Sequence, residues 1–189
     1  MKELSSLTWF QVATIESNFL VKPQGCTAQT WSSGSTLNWN LVRLSRNTST
    51  LSGSFPYAYY YDDGPKYPCC SGGTWVYVLD TGITKCNTDF EGRATNGANM
   101  NPSWPDGDTC GHGTHVAGIV VGKEYGAMKR AHAIGVKVMG GATGAACTGA
   151  LDGVMAGIQW AFQNATDEKR LSCSVINMSL GTFVKHLCK

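Results

Sequence analysis

The stretch Val76-Tyr77-Val78-Leu79-Asp80-Thr81-Gly82 decides how this chain reads. Its run of β-branched and large apolar residues delivers an aspartate into a Thr-Gly turn, the pattern of a buried strand whose carboxyl end presents a carboxylate. Strand ends are where open α/β sheets place their chemistry. Further along, Gly111-His112-Gly113-Thr114-His115-Val116-Ala117-Gly118 sets a histidine between two glycines, at the head of an apolar small-residue run that continues to Val121. The pattern predicts a helix over residues 112–121 packed closely on a sheet. The imidazole of His112 then projects from a helix N-terminus.

Outward from these blocks the chain alternates between strand and helix patterns. Strands are predicted over about residues 75–79, 134–139 and 174–180, and helices over 112–121 and 151–164. The segment 28–70, rich in Ser, Thr, Gly and Tyr, reads as loop with a short helix near 37–44. No internal repeat and no Pro-rich or charge-rich linker interrupts the pattern, which predicts one α/β domain.

Composition narrows the function classes. Hydrophobic residues make up 42% of the chain and charged residues 15%, so it can form a core and lacks the charge density of a disordered segment. The net charge is +2 with basic residues scattered, which leaves no nucleic-acid footprint. No apolar run is long enough to span a membrane. Eight cysteines point to an oxidising compartment, although they allow on the order of a hundred pairings. The sequons Asn47-Thr48-Ser49 and Asn164-Ala165-Thr166 fit an extracellular protein, whereas Asn177-Met178-Ser179 falls within a predicted strand and is poorly accessible there. Against this, Met1-Lys2-Glu3-Leu4-Ser5-Ser6-Leu7-Thr8-Trp9-Phe10-Gln11 carries no signal-peptide pattern. Residues 1–27 are left unassigned, with a propeptide remnant and misread intronic sequence as the alternatives.

An aspartate that accepts the Nδ1 proton of a histidine fixes its tautomer and stabilises the imidazolium, leaving Nε2 free to deprotonate a nucleophile. Asp80 and His112 offer that chemistry, in the chain order found in subtilisin. A competing reading groups Cys110, His112 and His115 as a metal cluster, but no further ligand stands at a sensible spacing. His115 is then expected to be a packed helix histidine with a hydrogen bond. His132 and His186 carry no motif and default to surface or structural roles.

With these residues the chain resembles the subtilisin-like serine peptidases, in their fungal proteinase K-like branch. The likeness rests on Ala28-Gln29-Thr30-Trp31, Leu41-Val42-Arg43-Leu44-Ser45 and Tyr59-Tyr60-Tyr61-Asp62-Asp63; on the Asp80 and His112 blocks with Asp89-Phe90-Glu91-Gly92-Arg93-Ala94 between them; and on Gly135-Val136-Lys137-Val138-Met139, Gly153-Val154-Met155-Ala156-Gly157-Ile158-Gln159-Trp160-Ala161 and Val175-Ile176-Asn177-Met178-Ser179-Leu180-Gly181. It implies a three-layer α/β fold with a mostly parallel sheet. It divides the chain into an unassigned segment 1–27, a partial catalytic domain 28–182 and a divergent tail 183–189.

The resemblance also implies the chemistry. Asp80 would orient the histidine, and His112 would act as general base and then general acid in endopeptidase cleavage of extended polypeptide. Ser179, Leu180 and Gly181 match the edge strand that pairs with substrate. A second substrate-flanking strand is expected around Gly144, Ala145 and Ala146, where length and residue type depart from the family pattern and no pocket residue is assigned. One disulfide is implied between Cys173 and Cys69 or Cys70, although Trp75 stands where the family carries its usual cysteine. Structural calcium is compatible with the resemblance, with no ligands identified. The implied partners are a polypeptide substrate and a propeptide or protein inhibitor, in an extracellular setting.

Two parts of the family pattern have no counterpart: the oxyanion-hole Asn and the Gly-Thr-Ser segment that carries the nucleophile. Neither occurs within residues 1–189, and Ser172, Ser174 and Ser179 lack the required context. Losing such a serine costs on the order of 10⁶ in turnover in subtilisin, and losing an oxyanion donor about 10²–10³. The chain therefore reads as a truncated catalytic domain, inactive alone, with a non-catalytic peptide- or inhibitor-binding decoy as the alternative.

Overall fold

The computed structural model describes residues 26–31, 38–45, 57–62, 73–141 and 146–181. Its strands are β1 (Cys26–Trp31), β2 (Tyr57–Asp62), β3 (Trp75–Asp80), β4 (Ala94–Asn99), β5 (His132–Lys137) and β6 (Ser174–Asn177); its helices are α1 (Trp39–Leu44), α2 (His112–Val121) and α3 (Leu151–Asp167). Four strands form a parallel sheet in the order β4-β5-β3-β6.

β3 is paired on both edges and covered on both faces. Val76 and Val78 pack with Val116, Ala117 and Val121 of α2, while Tyr77 and Leu79 pack with Ala161 and Ala165 of α3. A strand buried on both sides reads as a continuous apolar run rather than an alternation, which is why its sequence stood out. Each such side chain contributes about 1.5–3 kcal/mol by leaving water. The result is three layers, α2 above and α3 below a parallel sheet, the expected fold class. After β3 the chain winds to β4 and back to β5, then crosses β3 to reach β6, so the winding direction reverses at β3. Its carboxyl end lies at the switch point where open sheets hold their ligands.

Several expectations are revised. The region 28–70 is not loop-rich throughout: β1 and β2 pair antiparallel, and alternate residues Tyr57 and Tyr59 turn inward onto Trp31, Leu41 and Val42. β4 has almost no apolar signal, with Ala94 its single buried residue, and exists through its ladder to β5. β5 stops at Lys137 because β3 ends at Asp80, whose carbonyl accepts the N–H groups of both Val138 and Met139. β6 ends at Asn177, three residues short of the expected limit, as its register with β3 runs out at Val78. α3 runs through the Asn164 sequon, whose Oδ1 accepts from the Tyr77 hydroxyl and from Arg170, each at 2.7 Å. Asn164 is thus a packed structural residue.

Candidate active site

β3 carries Asp80 to the sheet's carboxyl end and buries it completely. The Thr81 N–H donates to Asp80 Oδ1 at 2.7 Å, and His112 Nδ1 lies 2.8 and 2.9 Å from the two carboxylate oxygens. The carboxylate accepts, so Nδ1 carries a proton. The His112 side chain is 52% exposed while that of Asp80 is 0% exposed. The pair therefore sets a buried carboxylate beneath a half-exposed imidazole.

The local sequence is built for this approach. Gly111 at the α2 N-cap has φ 88°, left-handed backbone that glycine adopts without strain. At Gly113 a Cβ would stand 2.2 Å from the Gly82 carbonyl oxygen, so only glycine lets the first turn of α2 sit against the turn after Asp80.

Asp108, which the sequence reading passed over, binds these parts together. Its Oδ1 accepts from the Thr81 hydroxyl (2.8 Å) and the N–H groups of Cys110 (3.0 Å) and Gly111 (2.8 Å), and its Oδ2 from the Thr114 N–H (2.9 Å) and hydroxyl. Burial pushes its carboxyl upward, but the hydrogen bonds from Thr114, Cys110 and Gly111 outweigh this and hold it below the ordinary carboxylate value. Lys137, buried at the end of β5, donates to the carbonyls of Thr81 (2.9 Å) and Gly107 (2.7 Å). Burial lowers its ammonium pKa, opposed in part by Asp108 and Asp106. An Asp four residues before a helix is outside the usual cap position, and a Lys in an apolar strand reads as solvent-facing.

Cys110 is disulfide-bonded to Cys147, which ties the loop before His112 to the segment after β5. Thr109 adds a bond to the Gly141 carbonyl, and Gly140 bridges to Thr148. This bridge was not anticipated, and with its sulfur engaged Cys110 offers no thiolate to a metal, which removes the cluster reading. His115 is exposed on α2 rather than packed. His132 stacks on Trp75 with centroids 4.3 Å apart, a structural role. Cys173 is in a disulfide, while Cys69 and Cys70, its expected partners, lie outside the described residues, as do His186 and most of the second substrate-flanking segment.

Ser179, Leu180 and Gly181 follow β6 without regular secondary structure. Ser179 and Gly181 are exposed, and Leu180 packs partly against the α3-side core. Among the described residues none of the three takes part in a backbone–backbone hydrogen bond. The Ser179 hydroxyl accepts from Asn177 at 3.0 Å and Ser174 donates to the Arg170 carbonyl, and among the described residues neither is hydrogen-bonded to His112.

A profile of the subtilase family matches residues 71–187, which contain both members of the pair. The chain belongs to the subtilase family. Among curated relatives, this subtilase is 43% identical over 143 residues to Subtilisin-like protease 3 of Pseudogymnoascus destructans, a match covering 76% of the chain and 33% of the relative. It is 38% identical over 144 residues to Subtilisin-like protease 1 of Arthroderma gypseum, covering 76% and 27% respectively. The chain thus spans about a third or less of the length of these relatives. Among solved structures it is similar to a cold adapted subtilisin-like serine proteinase, at 36% identity and TM-score 0.48, over 57% of this chain and 37% of that one. Among the described residues no group of three or more His, Cys, Asp or Glu side chains converges to hold a metal, so no calcium ligands are assigned. No helix among them is long and apolar enough to cross a membrane.

Proposed function

We propose that this subtilase chain supplies the carboxylate–imidazole half of a serine endopeptidase triad, and that alone it does not turn over peptides. The observation that carries the reading is the buried Asp80 carboxylate bonded to Nδ1 of a His112 ring whose other edge is open. Asp80 holds the tautomer and stabilises the imidazolium. His112 Nε2 takes the proton of a serine contributed by polypeptide outside residues 1–189, then returns it to the leaving amine. The carbonyl and N–H groups of Ser179, Leu180 and Gly181, free of backbone partners among the described residues, support pairing with an extended polypeptide. The disulfide of Cys110 with Cys147 supports an extracellular setting.

The test joins the chain to the remaining catalytic region of its 43%-identical relative. The chimera is expected to hydrolyse a fluorogenic peptide and to label with a fluorophosphonate, the H112A chimera to lose on the order of 10⁶ in turnover, and D80N about 10⁴. The 189-residue chain is expected to do neither. Hydrolysis by that chain, lost on H112A, would overturn the claim of dependence on an outside serine. A chimera indifferent to both substitutions would sink the dyad assignment. Tight peptide binding by the 189-residue chain without turnover in the chimera would favour the decoy.

A further inference from the structure

We infer that Asp108 is a positioning residue for the dyad, its carboxylate fixing at one point both backbone segments that carry Asp80 and His112. The inference rests on the dyad reading above and deepens it.

The connections are short and run in both directions. Thr81 follows Asp80 directly, and its hydroxyl donates to Asp108 Oδ1 while accepting from the Gly113 N–H at 2.9 Å. Gly111 precedes His112 directly, and its N–H donates to the same Oδ1. Both neighbours of His112 and the immediate neighbour of Asp80 are therefore bonded to Asp108 or to the hydroxyl it orients. Because the N-cap residue Gly111 has no side-chain oxygen, the first-turn N–H groups of α2 need another acceptor, and Asp108 provides it through the Thr114 N–H. Thr114 extends the lock, since its hydroxyl donates to Asp108 and accepts from the Thr84 N–H at 2.9 Å.

Neither oxygen is dispensable. Asparagine at this position replaces one oxygen with an NH₂ donor. Placed at Oδ2 it leaves the Thr114 N–H facing a donor; placed at Oδ1 it does the same to three donors at once. Either way the first turn of α2 loses its anchor to the turn after Asp80. A displacement of about 1 Å between reacting groups is enough to cost on the order of 10² in rate.

The proposal is tested on the full 189-residue chain by proton NMR in dilute solution, following the His112 Nδ1–H resonance downfield of the amides, assigned by its absence in H112Q. D80N is expected to abolish it. D108N and T81V, the latter isosteric and lacking only the hydroxyl, are expected to abolish or shift it, whereas T81S, which keeps the hydroxyl, retains it. A165G, a destabilising change on the opposite face of the sheet, controls for lowered stability and is expected to retain it. If D108N does not fold, the T81V and T81S pair decides. A wild-type resonance in D108N or T81V, with D80N losing it, would overturn the positioning role while leaving the dyad intact. A resonance unaffected by D80N would instead remove the dyad itself.

Discussion

At the scale of single residues, the protonation of Asp108 is coupled to folding. Asp108 has its pKa lowered in the folded chain, burial being outweighed by hydrogen bonds from Thr114, Cys110 and Gly111. The unfolded chain then binds more protons in the acid range, so folding stability falls as pH falls. The contribution is fully present above the unfolded carboxylate pKa of about 3.9 and is lost as pH drops through the lower folded value. Acid titrations of stability for wild type and D108N should therefore diverge most near neutrality and converge at the acid end. Parallel curves would show that Asp108 carries no such linkage. Gly113 supports a second prediction. Alanine there drives a methyl into the Gly82 carbonyl, which is backbone and cannot swing aside. The substitution should destabilise by about 1–3 kcal/mol, the usual cost of overpacking, and weaken the His112 Nδ1–H resonance. Denaturant unfolding and the same NMR measurement check the two parts.

At the scale of elements, legibility followed how far each element advertised its own burial. β3 and α2 declared themselves because one is apolar on both faces and the other opens with a glycine-flanked histidine. β4 could not be read, since Ala94-Thr95-Asn96-Gly97-Ala98-Asn99 becomes a strand through its partner and not its propensities. β2 carried a usable alternation in Tyr57 and Tyr59, lost in a tyrosine-rich neighbourhood that resembles a loop. The Asp80–His112 contact was legible for the same reason as β3 and α2. Asp108 was not, because it caps α2 from outside the usual cap position, and neither were Lys137 and the Cys110–Cys147 bridge, which act across long stretches of chain. The bridge closes a separation of 37 residues between the loop before α2 and the segment after β5. On the loop-entropy argument it stabilises by about 3–4 kcal/mol. The C110S/C147S double variant should lose that amount in denaturant unfolding, a route that leaves Cys173 oxidised where a reductant would not. A loss under about 1 kcal/mol would mean that the bonds from Thr109 to Gly141 and between Gly140 and Thr148 hold the two segments without the bridge.

At the scale of the whole molecule, the sheet places the Asp80–His112 pair at the reversal of winding while leaving apolar surface on β6 and α3. Among the described residues β6 lies at one end of the strand order with Val175 50% and Ile176 39% exposed, and α3 presents Leu151, Met155 and Phe162 at 76%, 59% and 56%. Successive side chains of a strand point to opposite faces, so Val175 is open on the α2 side, where its register partner Val76 is buried, and Ile176 on the α3 side. An edge strand apolar on both faces is a template for pairing with further chain, and exposed apolar side chains on it favour association. The 189-residue chain should accordingly self-associate as its concentration rises. Replacing Val175 with lysine puts a charge on the exposed edge at a side chain outside the dyad and the Asp108 network. V175K should sediment as a smaller species than wild type at equal concentration, with an unchanged far-ultraviolet circular dichroism spectrum and the His112 Nδ1–H resonance preserved. A wild-type chain that remains monomeric across the concentration series would show that polypeptide outside the described residues already covers this edge.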